Sequence, residues 1–282
     1  MTRLIAALLL SLLAACSRGD WPDPAPALWQ VTGSAGQKGW LFGTIHALPD
    51  GAGWRTPVLE TALEQAEPLV VEVGDLADAK AVQSVFARRA YTPGLPPLLA
   101  RVPPADRPAL AAALDGAGLK SGDLAPLEDW AAALTLANAL RRGEVANGVD
   151  RALIAGAARV IALESVDEQL ALFDTLPPAA QTALLRDAAN EADAPDDEGR
   201  IRAWLSGDLA ALERDATEGL LADPILRERL QTGRNRAWLP PITRLLDGGA
   251  RPFVAVGAAH MLGPEGLPAL LRARGYTVTR IQ

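Results

Sequence analysis

The chain has 282 residues, 49% of them hydrophobic, with 27 Lys and Arg against 34 Asp and Glu and a formal net charge of −7. An acidic balance without any Lys/Arg cluster excludes nucleic acid as a partner, because neutralising phosphates takes a basic face. The apolar fraction excludes global disorder, and the single cysteine excludes a disulfide within one chain.

Residues 1–15 read as an export signal: one cation, Arg3, then an apolar stretch from Leu4 to Leu13 and small residues before Cys16. The stretch is shorter than the ~20 apolar residues of a membrane-spanning helix, and no later segment supplies such a run, so a polytopic membrane protein is excluded. Leu13-Ala14-Ala15-Cys16 resembles the bacterial lipobox, in which the cysteine becomes the lipidated first residue. Acyl chains on Cys16 would hold the protein at a membrane surface, each buried methylene contributing ~0.8 kcal/mol. Ser17 rather than Asp after the cysteine points to the outer membrane, on its periplasmic face. The expectation is an exported lipoprotein of the bacterial cell envelope. Residues 16–27 would form the lipidated end and a Pro-rich tether, RGDWPDPAP at 18–26. Such a compartment is oxidising, so with no crosslink to draw on, stability rests on the core.

The folded domain is expected over 28–282. LWQVT (28–32) and WLFGTIH (40–46) are β-type runs joined by a Gly-rich connection suited to a hairpin. Thr56 and Pro57 open a helix that runs to about Ala66, and PLVVEVG (68–74) is a strand. From about 79 to 248 the pattern is helical. The window 130–142 sets Trp130, Ala133, Leu134 and Ala137 on one face, and further amphipathic windows fall at 150–159, 167–176, 178–190, 198–214 and 223–246. One β-type run, Val160 to Leu163, interrupts them and ends on Glu164, while the acidic stretch 189–200 reads as a solvated turn. RPFVAVG, a helix from Pro264 to Arg274, and YTVTRIQ restore β-α-β at the end. The fold class is therefore α/β: a central mixed sheet built from N- and C-terminal segments around a large helical insertion.

The only two histidines share one local frame, GTIH ending at His46 and GAAH ending at His260. Each follows a strand, where ligands gather in open α/β sheets. Gly43 and Gly257, three residues earlier, allow either a positive φ or the close approach of another group. A catalytic divalent metal commonly takes two or three His plus a carboxylate, so with two imidazoles a third protein ligand would be Asp or Glu. Glu72 is the leading choice, because an unpaired carboxylate in the apolar run VVEV would be costly. Glu164, at the end of VIALE, is second. A bound Mn, Co or Zn ion would lower the pKa of its water towards about 7, and a nearby carboxylate could move the proton. Thr44 reads as strand packing.

GTIH, LVVEVG, GVDRALIAGAARVIALESVDEQLALFD, GRNRAW and FVAVGAAHMLGPEGLPALLRARGYTV are collinear with, and together resemble, the TraB/GumN family, which is related to the Tiki proteases. The resemblance implies an α/β fold with a central sheet. Through the Tiki relatives it also implies a peptidase that needs Mn²⁺ or Co²⁺, and it supports Glu72. It further implies a role for Arg234 and Asn235, which match the family's Arg-Asn element and with Arg236 could bind a substrate carboxylate or stabilise an oxyanion. The plainer alternative is a helix held by salt bridges to Glu228 or Asp223.

Other chemistries lack their residues. With Cys16 taken by the anchor there is no thiol nucleophile, and G-x-S-x-G, HExxH, Walker A and G-x-G-x-x-G are absent. Two functions remain open: a membrane-anchored metallohydrolase acting on peptides or another small substrate, and a non-catalytic envelope lipoprotein that holds haem, a peptide or a glycan in the same cleft. A chaperone or regulatory lipoprotein is a third.

Overall fold

Among the described residues six strands form one mixed sheet: β1 (Leu28–Thr32), β2 (Lys38–Thr44), β3 (Leu69–Val73), β4 (Val160–Glu164), β5 (Phe253–Gly257) and β6 (Thr277–Arg280). The structure is a computed structural model that describes residues 21–74, 79–141, 143–190 and 197–282. The export signal and Cys16 lie outside the described residues, as do residues 191–196 of the acidic stretch. No described helix is long and apolar enough to cross a membrane.

The spatial order is β4-β3-β5-β2-β1-β6. β2, β5, β3 and β4 run parallel, and β1 is antiparallel to both β2 and β6. The sheet is thus drawn from both ends of the chain, as expected, with β4 added at one edge from within the helical insertion. The four parallel strands all end on one rim, which sets the place for a site.

The central strands read as unbroken apolar runs because helices cover both faces. Alternate residues serve opposite cores. Trp40, Phe42, Leu69, Val71, Phe253 and Ala255 pack on one side of the sheet, and Leu41, Val70, Val254 and Val256 on the other. The second side is closed by the helices Gly233–Asp247 and Leu267–Ala273.

A separate apolar cluster lies within the insertion, where Trp130, Leu136, Leu185, Leu110 and Leu98 are all buried to within 1%. Its helix Asp129–Leu140 buries Trp130, Ala131, Ala132, Ala133 and Leu136, while Leu134 and Ala137 are only partly covered. The buried face is broader than a single stripe because Arg107–Gly116 and Pro178–Asn190 both pack on this helix and on each other.

Boundaries shift where turns intervene. Thr56 caps the first helix, Pro57–Gln65, accepting a hydrogen bond from the Leu59 amide at 3.1 Å. The window 198–214 divides into Asp197–Ser206 and Leu209–Glu218, because Gly207 takes a φ of 67° and Asp208 caps the second helix. The last helix begins at Leu267 rather than Pro264. A turn closed from the Gly266 amide to the Gly263 carbonyl at 3.2 Å holds the residues between, with Gly263 at φ 70°.

Candidate functional site

β2, β3, β4 and β5 deliver Thr44, Glu72, Glu164 and Gly257 to the shared rim, with Thr44 beside Gly257 and Val73 beside Glu164 in register. His46 follows β2 by two residues, and His260 stands in the short turn Ala258–Met261 after β5. A Cβ built on Gly257 would lie 3.1 Å from Glu72 Oε1, 3.8 Å from His260 Cδ2 and 3.9 Å from His46 Nε2. The two imidazoles, more than two hundred positions apart in sequence, therefore converge on Glu72.

Neither motif glycine has a positive φ. What Gly43 supplies is close approach: a Cβ there would stand 2.9 Å from Ala258 Cα. Because that neighbour is backbone, Gly43→Ala is expected to destabilise the fold by about 1–3 kcal/mol through overpacking, read as a lower urea midpoint. Gly257→Ala meets a side-chain carboxylate instead and is expected to perturb the site more than the fold.

Arg234 and Asn235 reach the rim from the start of the helix Gly233–Asp247, whose buried stripe continues through Trp238, Ile242 and Leu246. A π-helical turn, Glu228–Thr232, precedes that helix, a feature frequent at functional sites. Within it, Gln231 Nε2 donates to the Ala259 carbonyl at 2.5 Å, tying the turn to the His260 loop.

Arg234 links both acids. Its Nη2 donates to Glu72 Oε2 at 2.6 Å and to Glu164 Oε2 at 2.8 Å, and its Nε to Glu164 Oε1 at 3.0 Å. The guanidinium lies 4.5 Å from the Trp238 ring centroid, and Trp238 Nε1 donates to Glu164 Oε1 at 2.9 Å. Glu72 also accepts from the Gly257 amide at 2.6 Å and from Gln169 Nε2 at 3.2 Å. No described buried side-chain nitrogen or oxygen lacks a partner, so this low-dielectric network is complete.

The partners of His260 fix the place of its proton. Asn235 Nδ2 donates to the carbonyls of His260 and Glu265, which leaves Oδ1 to accept from His260 Nδ1 at 2.7 Å. Arg234 Nη1 then stands 3.2 Å from His260 Nε2, and since arginine only donates, that nitrogen carries the lone pair. His260 is held neutral: burial first, then the charges of Arg234 and His46, push its pKa down to about 4 against the pull of Glu72.

Glu72 moves the other way. Burial opposes its charge, yet His260, Arg234, His46 and the Gly257 amide together bring it down to about 2. Because His260 is charged only in acid, Arg234, His46 and the amide hold the carboxylate at neutral pH.

His46 presents an open ring edge, with 61% of its side chain exposed, and its Nδ1 lies 2.7 Å from Asp150 Oδ2. Crowding at the rim works against its charge. The Asp150 hydrogen bond and charge, with Glu72 behind them, raise its pKa to about 9, and solvent at the open edge screens part of that pairing.

The structure brings His46, His260, Glu72, Glu164, Arg234 and Asn235 to one rim. Glu72 is on an interior strand rather than an edge. One expectation needs correction, and the alternatives open for Arg234 and Arg236 divide between them. Thr44 does more than pack: its Oγ1 donates to Asp150 Oδ1 at 2.5 Å, because the strand end faces a carboxylate. Arg234 is not bridged to Glu228 or Asp223. Arg236 pairs with Glu228, and Asp223 caps the short helix Pro224–Arg227. Asp150 and Gln169 went unread. The available signal for Asp150 was an acid on the buried stripe that Val149 and Leu153 mark on the helix Val149–Gly156.

As for a metal, the donor set has the right chemistry: two imidazoles, each with Nδ1 engaged by an oxygen acceptor, and a carboxylate between them. No described group of three or more His, Cys, Asp or Glu stands in position to hold an ion, and Arg234 Nη1 covers His260 Nε2. An ion would have to displace that contact.

By architecture and by the polar chemistry on its rim, the protein is an α/β protein that keeps its site beyond the carboxyl ends of a parallel strand set. Residues 27–280, nearly the whole chain, match the model of the TraB/PrgY/gumN family, and the protein belongs to that family. No curated protein and no solved structure matches the chain.

Proposed function

We propose that the protein is a divalent-metal-dependent hydrolase of peptide bonds, held at an envelope membrane by lipid on Cys16. The observation that carries this reading is the convergence of two differently buried imidazoles on one carboxylate at the sheet rim. His46, His260 and Glu72 would hold the ion, which would supply a polarised carbonyl and a water acidified to near neutrality. Glu164 and Glu72, both bridged to Arg234, stand within the same network to accept a proton. Arg234 and Asn235 order the wall: Asn235 fixes the His260 ring, and Arg234 offers charge-assisted hydrogen bonds to a substrate carboxylate or oxyanion.

The tether supports a close anchor. The Ala25 amide already donates to the Leu205 carbonyl at 2.7 Å, so the link back to Cys16 spans at most about 30 Å when extended.

The full chain, purified in detergent without chelator or affinity metal, is expected to take up about one Mn²⁺, Co²⁺ or Zn²⁺ per chain, read by elemental analysis. His46→Ala and His260→Ala should each abolish that uptake. A wild-type protein that binds none of the three ions ends this reading. One observation favours the alternative of a non-catalytic ligand-binding lipoprotein: the guanidinium already fills the space between the two acids. A haemin titration giving a sharp Soret shift, lost in both histidine variants, would decide for it.

A further inference from the structure

We propose that Asp150 is a positioning residue of the site: it holds the Nδ1 hydrogen of His46 and so makes Nε2, on the Gly257 side of the ring, the nitrogen that gives up its proton and becomes free to bind. Asp150 is 6% exposed, and both its oxygens are spent on the GTIH motif, Oδ1 accepting from Thr44 Oγ1 at 2.5 Å and Oδ2 meeting His46 Nδ1 at 2.7 Å. Its place is built by backbone. The Val149 amide donates to the Ile45 carbonyl at 3.0 Å, and a Cβ on Gly148 would stand 2.4 Å from the His46 carbonyl oxygen. Only glycine lets the start of the helix Val149–Gly156 come that near, and this approach carries the carboxylate to the ring.

Stability alone gives a poor account of the arrangement. A bond to a ring with 61% of its side chain in solvent contributes little, while burying a carboxylate is costly. The second imidazole repeats the pattern, with His260 Nδ1 on Asn235 Oδ1 at 2.7 Å and Nε2 on the inner side, 3.6 Å from Glu72 Oε1. Two rings on different loops thus have Nδ1 taken by an oxygen, with His260 Nε2 beside Glu72 and His46 Nε2 on the Gly257 side of the same rim. An imidazole's tautomer is set by the hydrogen bond its other nitrogen makes, so removing the acceptor frees the proton to move to Nε2 and closes the lone pair.

The test uses the full chain in detergent, labelled with ¹⁵N-histidine, which gives only two ring systems. At a pH high enough that the ring ¹⁵N shifts themselves show both imidazoles neutral, the wild-type spectrum is expected to show the His46 hydrogen on Nδ1 and an unprotonated Nε2. Asp150→Ala should move the hydrogen to Nε2 in a large fraction of molecules. Asp150→Asn, whose amide oxygen can still accept, should restore Nδ1–H. Wild-type His46 carrying its hydrogen on Nε2 overturns the proposal whether or not any variant folds, as does an unchanged tautomer in Asp150→Ala. A second arm titrates Co²⁺ alone and rests on the metal reading: affinity should fall 10–100-fold in Asp150→Ala and recover in Asp150→Asn. If the wild type binds no Co²⁺ the metal reading fails, while the tautomer still decides the role of Asp150.

Discussion

Arg234→Met is expected to destabilise the protein by about 3–5 kcal/mol at neutral pH, because it leaves two buried carboxylates facing one another without their cation. Glu72 and Glu164 have 10% and 13% of their side chains exposed, and both accept hydrogen bonds from the same guanidinium. The pH dependence should weaken as well. In the wild type Glu72 titrates at about 2 when folded against 4.5 as a free group, so its contribution is whole above pH 4.5 and is lost as pH falls towards 2. Without Arg234 one of the influences that lower the Glu72 pKa against burial is gone, so the carboxyl lies less far below its free value. A carboxyl less depressed in the folded state contributes less stability as pH rises from about 2 to 4.5, so the variant should gain less over that range than the wild type. His260, relieved of the same cation, takes a proton more readily, which leaves the direction unchanged: the folded variant binds more protons than the folded wild type. Urea denaturation between about pH 3 and pH 7 should therefore show the gap between the two proteins narrowing in acid. A parallel pair of curves would sink the account of Arg234 as the counter-ion.

Trp130→Ala is expected to cost ~3–5 kcal/mol, as for other buried large aromatics. The side chain is fully buried and packs between Phe86, at 5.6 Å and near-perpendicular, and Phe173, stacked at 6.4 Å between centroids. Its Nε1 donates to Glu128 at 3.3 Å, so truncation also leaves a carboxylate short of a donor. The interest lies in where the loss is felt. Trp130 belongs to the cluster inside the helical insertion, whereas the site hangs on the two clusters flanking the sheet. Fluorescence and far-UV signals should shift together, because the insertion carries β4 and the π-helical turn that aim Glu164 and Arg234 into the site. Two separated transitions would show that the insertion melts by itself.

Much of this site was legible before any coordinates. Gly-x-x-His at two strand ends marked the imidazoles, and an acid inside VVEV marked Glu72, because residues that violate an apolar pattern usually answer to a partner. Of the two reasons for a glycine three residues before each histidine, neither position takes a positive φ, and at Gly43 the backbone of Ala258 stands close. Asp150 is the instructive omission. It is part of the segment that carries the family resemblance, yet its partners lie 104 and 106 positions away, and no local window contains both ends of that pair. The two meanings left open for Arg234, Asn235 and Arg236 divide between neighbours: Arg234 turns inward to Glu72 and Glu164, while Arg236, two residues on and so on another side of the helix, reaches the surface acids Glu228 and Glu265.

The amino-acid sequence by itself determined the elements, their α/β class and the two strand ends that carry histidine, because the period of apolar residues and the turn chemistry of Gly and Pro are local properties. Only the tertiary structure decided that the two rings meet at Glu72, that one guanidinium satisfies both acids, and that Asp150 stands behind His46. Those pairings follow from strand order and from the close approach of backbones at Gly43 and Gly148, geometry that arises when remote segments pack and that no stretch of neighbouring residues encodes.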